Sequence, residues 1–377
     1  MMTDRIPEGW RECKLGDVGK IITGTTPSKD NPEDWGSDTL FITPSDYKNY
    51  RKKAYSSIRK LSQIGAERQR NRLLPSSSVL VTCIGSDMGK SVVNAVPCVT
   101  NQQINAIIPN KSTVEEDYLY YLTVDLYETL HSLGGKGTAV PILNKTDFEN
   151  INLLLPPLPE QHAIASVLGS LDDKIDLLDR ENQTLEQMAE ALFRQWFIEE
   201  ADEQWEEVTL GDFFPVITGE KDANFATDDG SYPFFTCSKR TLWAPTYSFD
   251  GPAILLAGNG DFNIKHCVGK FEAYQRTYVL IPYDPVYFGF LLTLMKYYLS
   301  EITSGHQGSV IDFITKPMIK SFTFLLPKHR DSIQDNLVYL NELYKKIDIN
   351  SSQILTLEKL RDTLLPKLMS GEVRVKL

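Results

Sequence analysis

Apolar positions recur alternately three and four residues apart along two stretches of the chain. The first stretch carries Leu168, Leu171, Ile175, Leu178, Asn182, Leu185, Ala189, Leu192 and Trp196. The second carries Leu340, Leu343, Ile347, Asn350, Ile354, Leu357, Arg361, Leu364 and Leu368. This spacing is the a/d seam of a coiled coil, so it predicts two long helices that pack against each other.

Each seam is interrupted by an asparagine. Antiparallel packing with Asn182 opposite Asn350 brings Leu185 against Ile347 and Ile175 against Leu357 without slippage. An amide in an apolar seam costs stability but fixes register, because a shifted helix leaves it unpaired. We therefore predict an antiparallel pair in which the two asparagines meet. The alternative is that each helix packs only onto its own domain, with the asparagines facing water.

Short apolar runs precede each long helix and predict strands. They cover residues 78–84, 104–109, 253–257 and 277–282. Their length, their β-branched residues and the flanking Gly, Pro or Asn are typical of strands. Two aromatic stretches, residues 117–126 and 286–299, have helical spacing and predict core helices. The strands do not simply alternate with helices, which favours α+β domains.

The chain also repeats itself. Trp10, the LGD of residues 15–17 and the ITG of residues 22–24 return at one constant displacement as Trp205, 210–212 and 217–219. Downstream, LLLP at 153–156 matches FLLP at 324–327, and TLEQMAEALF at 184–193 aligns with TLEKLRDTLL at 356–365. Separated motifs that keep their offset indicate a duplication. The second copy is shorter, and the difference falls between Gly24 and Val79.

The repeat and the helices together define the predicted architecture. The fold class is α+β, with two similar mixed α/β domains separated by two long helices packed as an antiparallel coiled coil and related by an internal pseudo-twofold repeat. The predicted boundaries are a first domain over 1–155, a central helical spacer over 156–200, a second domain over 201–327 and a C-terminal helical spacer over 328–377.

Composition changes this picture mainly through the distribution of charge. A chain of 377 residues can fill two cores, and its formal net charge of -11 argues at first against nucleic acid. The excess of acidic residues, however, lies outside the predicted first domain. Residues 156–200 hold 3 basic and 10 acidic side chains, and residues 201–325 hold 9 basic and 15 acidic side chains. Between Lys48 and Arg72, nine basic residues stand against Glu67 alone.

The sequence offers no catalytic constellation. It lacks a GxxxxGK[ST] phosphate loop, an Asn/Asp-Pro-Pro-aromatic tetrapeptide and a carboxylate pair with a nearby ExK, and its five histidines are scattered. The five cysteines form no CxxC pair, and neither a signal core nor a long apolar run is present. We expect a cytoplasmic protein that is not an enzyme, binds no cofactor or metal itself and does not associate with a membrane.

The basic segment, residues 48–72, suits binding to double-stranded DNA. Cations supply affinity through phosphates, and Arg or Gln at groove depth can read base edges. The competing interpretation is a solvated charged face or, for the later loops, an ordinary turn. The candidate DNA-binding residues of the first domain are Lys48, Arg51, Lys52, Lys53, Arg59, Lys60, Arg68, Arg70, Arg72, Lys90 and Gln102. Those of the second are Lys239, Arg240, Lys265, Arg276 and Gln307.

Three stretches carry a family resemblance. They are Trp10 with LGD and ITGTTPS up to Ser28, the segment LPPLPEQHAIASVLGSLDDKID at 155–176, and LLPKLMSGEVRV at 364–375. With these, the chain resembles end to end the specificity subunit of type I restriction-modification systems, in which two target recognition domains alternate with two helical regions. The second copy departs from the pattern with LPKHRDSIQ in place of LPPLPEQ, and it lacks TPS after its glycine.

The resemblance implies a sequence-specific DNA-binding subunit that reads a bipartite, asymmetric target. It further implies two modification subunits that bind S-adenosylmethionine and methylate adenine, joined by restriction/translocase subunits that use ATP and magnesium. Two alternatives stay open at this point: a coiled-coil scaffold without a nucleic-acid role, and the recognition part of a fused methyltransferase.

Overall fold

The computed structural model describes residues 6–134, 141–304 and 313–376. The chain divides into two compact units: unit 1 comprises Met1–Leu177 and Ile354–Leu377, and unit 2 comprises Leu178–Gln353. Both boundaries fall within the long helices, so each unit combines one globular domain with part of each helix. The four-segment division expected from the sequence separates domains from helices instead and stays a prediction.

Unit 1 is a mixed α/β domain with three sheets. Its strands are β1 (Arg11–Lys14), β2 (Gly19–Thr23), β3 (Trp35–Gly36), β4 (Thr39–Ile42), β5 (Lys53–Ala54), β6 (Arg59–Leu61), β7 (Val79–Thr82), β8 (Ser91–Asn94), β9 (Cys98–Thr100), β10 (Ile104–Pro109) and β11 (Asn152–Leu155). Its helices are α1 (Gln63–Arg68), α2 (Glu116–Asp125), α3 (Tyr127–Gly134), α4 (Lys145–Glu149) and the start of α5 (Leu158–Arg194). The sheet orders are β2-β10-β7-β8-β5, β3-β6-β4-β9 and β1-β11.

Unit 2 repeats this plan with fewer elements. Its strands are β12 (Glu206–Thr209), β13 (Ile217–Thr218), β14 (Tyr232–Phe235), β15 (Leu242–Ala244), β16 (Phe249–Ala257), β17 (Ile264–Ala273), β18 (Thr277–Leu280) and β19 (Thr323–Leu326). Its helices are α6 (Phe288–Tyr297), α7 (Leu299–Thr303), α8 (Lys316–Lys320) and the start of α9 (Gln334–Met369). The sheet orders are β13-β18-β16-β17-β14-β15 and β12-β19.

The two longest helices, α5 and α9, confirm the helices predicted from the seams, and the four predicted strands are found as β7, β10, β16 and β18. The α+β fold class is confirmed as well. The interval between Gly24 and Val79, where the first copy is longer, forms β3, β4 and β6, and β4 pairs with β9 to complete a separate four-stranded sheet. In unit 2 the corresponding interval forms β14 and β15, which extend the main sheet.

The repeated LGD sequence is a capped turn in both units. Residues Leu15–Asp17 and Leu210–Asp212 each form one turn of 3-10 helix with a buried leucine. The backbone N–H of Lys14 donates to Asp17 Oδ2, and that of Thr209 donates to Asp212 Oδ2, both at 2.8 Å. The hydrogen bonds from Thr209 lower the pKa of Asp212. The aspartate is therefore retained in both copies because it satisfies an otherwise unpaired backbone donor.

The glycine of the repeated ITG is a point of close backbone approach. A Cβ on Gly24 would lie 2.2 Å from the Asn101 carbonyl oxygen, and one on Gly219 would lie 2.1 Å from the Ala273 carbonyl oxygen. Both glycines donate to the first residue of the neighbouring central strand, Gly24 to Ile104 at 3.2 Å and Gly219 to Thr277 at 3.1 Å. Any side chain here would push the strand away.

Each unit has its own core, and both long helices contribute to it. In unit 1, Ile164 and Leu168 of α5 share a cluster with Leu365 and Leu368 of α9. In unit 2, Leu185 and Leu192 of α5 pack on the cluster that holds Leu340, Leu343 and Ile347 of α9. In unit 1, Glu160 contacts Arg374 and Asp172 contacts Arg361. In unit 2, Asn182 contacts Asn350 and Trp196 contacts Tyr339. Residue numbers rise along one helix as they fall along the other, so the pairing is antiparallel within each unit. The helices thus pack on each other as well as on their domains.

The seam asparagines lie in unit 2. Asn350 is fully buried, and its Nδ2 donates to Asn182 Oδ1 at 3.0 Å. Asn182 in turn donates to Ser351 Oγ at 3.4 Å, and Lys346 pairs with Glu181 at 3.4 Å beside them. The structure therefore places the two amides opposite each other, in the register expected from the sequence.

In unit 1 the helix pair is tied to the domain by a polar network. Asp172 of α5, whose side chain is only 10% exposed, pairs with Arg361 of α9 at 2.8 Å. It also accepts a hydrogen bond of 2.6 Å from the hydroxyl of Tyr121, which is buried on α2. The ammonium of Lys52 lies 4.7 Å from the Tyr121 ring centroid and 2.8 Å from Asp117. Asp172 thus joins α5 to α9 and α2, and Lys52 adds a fourth segment through Tyr121 and Asp117.

The amide pair makes a direct prediction for stability. Asn182→Leu leaves the buried Asn350 amide without its acceptor, so the free energy of unfolding falls by about 1–3 kcal/mol. The double variant with Asn350→Leu removes both polar groups and restores the stability. Urea titration of both variants measures this, with Gln187→Leu on the exposed face of α5 as the control. Equal stability of Asn182→Leu and the wild type would contradict the assigned role.

The network in unit 1 makes a second prediction. Arg361→Met leaves the Asp172 carboxylate largely buried with only the Tyr121 hydroxyl, and the free energy of unfolding drops by about 2–3 kcal/mol. Lys359→Met, at an exposed position on the same helix, is the matched control and changes it by less than about 0.5 kcal/mol. Coinciding urea midpoints for the two variants would show that the pair contributes nothing.

Candidate nucleic-acid interface

The basic segment, residues 48–72, passes through β5, β6 and α1 of unit 1. Most of its cations are exposed, namely Lys48, Arg51, Lys53, Arg59, Arg68, Arg70 and Arg72, whereas Lys52 and Lys60 are half-buried. The stretch is therefore a surface feature, with its long side chains accessible to a polyanion. Contact with DNA by these residues stays a prediction.

Several of these cations are engaged within unit 1. Arg51 pairs with Glu358 at 2.6 Å, and Arg68 bridges Glu33 and Asp34 at 2.8 and 2.7 Å. Arg59 stacks 3.5 Å above the Trp35 ring. The partly exposed Arg51–Glu358 pair contributes little energy and can be exchanged for a phosphate, whereas Arg68 is held by the buried Asp34. Lys52 differs, because its buried ammonium belongs to the network around Tyr121.

Other cations of the segment have a simpler environment. Lys48, Lys53, Lys60 and Arg72 make no ion pair with any of the residues that the structure describes, while Arg70 pairs with its helical neighbour Glu67 at 3.0 Å. Unpaired, solvated ammonium and guanidinium groups are those most readily offered to phosphates. The exposed three, Lys48, Lys53 and Arg72, therefore have the strongest case for contact with DNA phosphates, whereas Lys60 is half-buried.

Folding adds two cations that the sequence did not single out. Lys20 of β2 and Lys145 of α4 line a groove of about 580 Å³ together with Arg68 and Arg72, with the amides of Gln69 and Asn71 between them. Lys145 also pairs with Glu149 at 3.4 Å. No local pattern connects these positions, since they come from three distant segments, so only the tertiary structure could join them.

Lys90 does not line this groove but a second cavity of unit 1. It pairs with Asp87 at 2.6 Å and lines, with Arg51, a cavity of about 370 Å³ that is otherwise largely aromatic and includes Tyr47, Tyr50 and Tyr120. The mixture of two cations with tyrosines suits a phosphate and sugar contact better than base recognition.

Polar side chains gather where the central strands end, and we call them the strand-end cluster. In unit 1 the cluster is Thr23, Gln102, Gln103 and Asn105; in unit 2 it is Thr218, Gln275, Arg276 and Tyr278. Thr23 donates to Asn105 at 2.6 Å, and Thr26 donates to Gln102 at 2.8 Å. In unit 2, Gln275 donates to Asp222 at 2.9 Å, and the whole cluster lines a cavity of about 360 Å³. Both units thus present amides at the same place in the fold.

The remaining predicted DNA-binding residues of unit 2 are of two kinds: some are exposed to solvent, and others are bound to groups of the protein itself. Arg240 and Arg276 are exposed, while Lys239 is exposed and pairs with Asp261 at 2.9 Å. Lys265 is half-buried and donates to the carbonyl oxygens of Thr236 and Ser238, and burial lowers its pKa. Its ammonium is thereby used inside the unit. Gln307 lies outside the described residues.

Across residues 6–134, 141–304 and 313–376, no three His, Cys, Asp or Glu side chains converge as metal ligands do. Over the same part of the chain, no helix has the length and apolar character to cross a bilayer. The candidate surfaces described above offer cations, amides and aromatic rings.

Comparison with known proteins agrees with this chemistry. The model of the type I restriction modification DNA specificity domain matches residues 7–187 and again residues 202–359. The specificity subunit of the type I restriction enzyme MjaIX from Methanocaldococcus jannaschii is 28% identical, over 99% of this chain and 95% of its own. That of the EcoDI enzyme from Escherichia coli is 38% identical, over 45% of this chain and 38% of its own.

A solved structure supports the fold independently. The crystal structure of the type I restriction-modification system S subunit from M. genitalium is 16% identical, covers 98% of both chains and superposes with a TM-score of 0.62. The two family matches coincide with the two copies of the internal repeat. The chain therefore belongs to the family of type I restriction-modification DNA specificity subunits, and its role is DNA sequence recognition rather than catalysis.

Proposed function

We propose that each unit of this subunit reads one part of a bipartite DNA target and that the two parts differ in sequence. The observation that carries the proposal is the strand-end cluster. It is built twice on the same backbone frame, with Thr23 and Gln102 matched by Thr218 and Gln275, yet with different neighbours. Two recognition units that share a backbone frame but differ in their side chains are expected to bind two different base sequences, so they suit an asymmetric target better than a palindrome.

Affinity in this proposal comes from phosphate contacts. The groove of Lys20, Arg68, Arg72 and Lys145 and the exposed Lys48 and Lys53 supply cations in unit 1. Unit 2 offers fewer candidate cations, namely the exposed Arg240 and Arg276 and the paired Lys239, because Lys265 is half-buried and bound to backbone carbonyls. We therefore expect unit 1 to supply more of the salt-dependent binding energy than unit 2.

The reaction itself is assigned to partner subunits. Specificity subunits assemble with other restriction-modification subunits, and we propose two modification subunits and restriction/translocase subunits as the partners of this chain. The former would bring S-adenosylmethionine for adenine methylation, and the latter ATP and magnesium. This chain would direct both by fixing the complex on its target, with no cofactor of its own.

Charge removal tests the phosphate contacts. In the complex with its modification subunits, Lys48→Ala, Lys53→Ala and Arg72→Ala together should lower affinity for duplex DNA. The slope of log affinity against log salt should flatten by roughly 0.9 for each phosphate that the variant no longer neutralises. Lys316→Ala, Lys328→Ala and Lys359→Ala remove the same charge from exposed positions outside the groove and serve as the control. Identical slopes for both triple variants would count against this surface.

The bipartite target is tested in cells. Mapping of methylated adenines in DNA from cells that carry this chain and its partner subunits should return one recurring motif. We expect two short, different sequences separated by a fixed interval of unread bases. A continuous motif or a perfect palindrome would contradict the assignment of one part to each unit.

A further inference from the structure

One position of the strand-end cluster differs in chemistry between the units although its backbone is matched. Gln103 is the residue before β10, and Arg276 is the residue before β18. The carbonyl oxygen of Gln103 accepts from the Cys83 amide at 2.7 Å, and that of Arg276 accepts from the Gly258 amide at 2.9 Å. The two side chains therefore leave the same backbone site.

The strands around this site pair in the same register. Asn105 of β10 lies opposite Thr23, and Tyr278 of β18 lies opposite Thr218. On the other side, β10 pairs with β7 and β18 pairs with β16. The equivalence of Gln103 and Arg276 thus rests on two neighbouring strands in each unit.

The segment that closes the site is also shared. The Leu143 amide donates to the Cys83 carbonyl at 2.9 Å, and the Ile314 amide donates to the Gly258 carbonyl at 3.1 Å. Isolated bridges join Ile84 to Ile142 in unit 1 and Asn259 to Phe313 in unit 2. The frame around the position is therefore constant in both units, and differences in function must come from side chains.

The adjacent glutamines do not account for such a difference. Gln102 and Gln275 are the same residue type, and each is held by the loop that follows the first central strand, through Thr26 and Asp222. The next residue changes from a neutral amide in unit 1 to a guanidinium in unit 2. This change exchanges one kind of base-edge partner for another.

The surroundings of both side chains leave them accessible. Arg276 is exposed and makes no ion pair with the residues described, although unit 2 has more acidic than basic side chains and Lys239 and Lys296 are paired. The side chain of Gln103 is half-buried and bonds only to Asn101 within the described chain, at 2.9 Å. Its Nε2 lies 4.0 Å from where a Cβ of Gly85 would be, so the glycine keeps that side open.

We propose that Gln103 and Arg276 are equivalent base-reading residues, one in each unit, with double-stranded DNA as the ligand. Arginine binds guanine O6 and N7 with two hydrogen bonds, and glutamine binds adenine N6 and N7 in the same way. This assignment rests on the proposed function, in which each unit reads its own part of the target. It predicts adenine at the position read by Gln103 and guanine at the position read by Arg276.

Exchanging the two side chains tests the assignment. The complex with its modification subunits selects duplexes from a randomised pool, and the bound sequences are compared for wild type, Gln103→Arg and Arg276→Gln. Gln103→Arg should change one adenine to guanine in one part of the target, and Arg276→Gln should change one guanine to adenine in the other. Each preference should shift by roughly five- to a hundredfold.

Control variants distinguish base recognition by Gln103 and Arg276 from phosphate contact and from an effect on stability. Lys328→Gln removes a charge from an exposed position outside the cluster and should leave the selected sequence unchanged. Gln103→Ala and Arg276→Ala should relax one base each, and the urea midpoint of Arg276→Ala should stay that of the wild type because its side chain is exposed. Lower affinity with the wild-type sequence preference would mean phosphate contact and overturn the inference. A wild-type complex that selects no sequence would overturn the proposed function itself.

Discussion

The contact between Asn182 and Asn350 is the constraint on which the alignment of the two long helices depends. An apolar seam of leucine and isoleucine can slide by a heptad at small cost, because one leucine replaces another in each layer. A buried amide cannot slide without losing its partner, and the cost of its desolvation is then not compensated. Apolar packing along the seam therefore holds the two helices together in both units. The amide pair in unit 2 fixes which residues of the two helices face each other.

Close backbone approach performs the corresponding task within each domain. Gly24 and Gly219 bring the first central strand within reach of carbonyl groups that precede the next, and the Asp-capped turns before them fix where that strand begins. Both features use backbone hydrogen bonds and small residues, which do not depend on the DNA sequence to be read. Constant frames of this kind leave nearby side chains free to differ between the units.

The basic side chains fall into two groups: some form contacts within their own unit, and others are exposed to solvent and accessible to DNA. Lys52 and Lys265 are removed from solvent by Tyr121 and by backbone carbonyls, so their charges are used within the units. Arg72 and Lys20 stay in solvent without an ion pair to any described residue, and they line the same groove. A net charge of -11 is thus compatible with DNA binding. The charge of the surface that faces the phosphates, rather than the net charge of the chain, sets whether DNA is attracted or repelled.

The sequence by itself determined the duplication, the seams, the antiparallel register and the family resemblance, because each rests on short-range periodicity or on motifs that keep their spacing. Only the tertiary structure decided which of the cations are accessible, since the partners of Lys52 and Arg51 lie on distant helices. It alone joined Lys20 and Lys145 to Arg68 and Arg72. It also matched Gln103 with Arg276, because strand register, rather than residue identity, defines what is equivalent in two copies that have diverged.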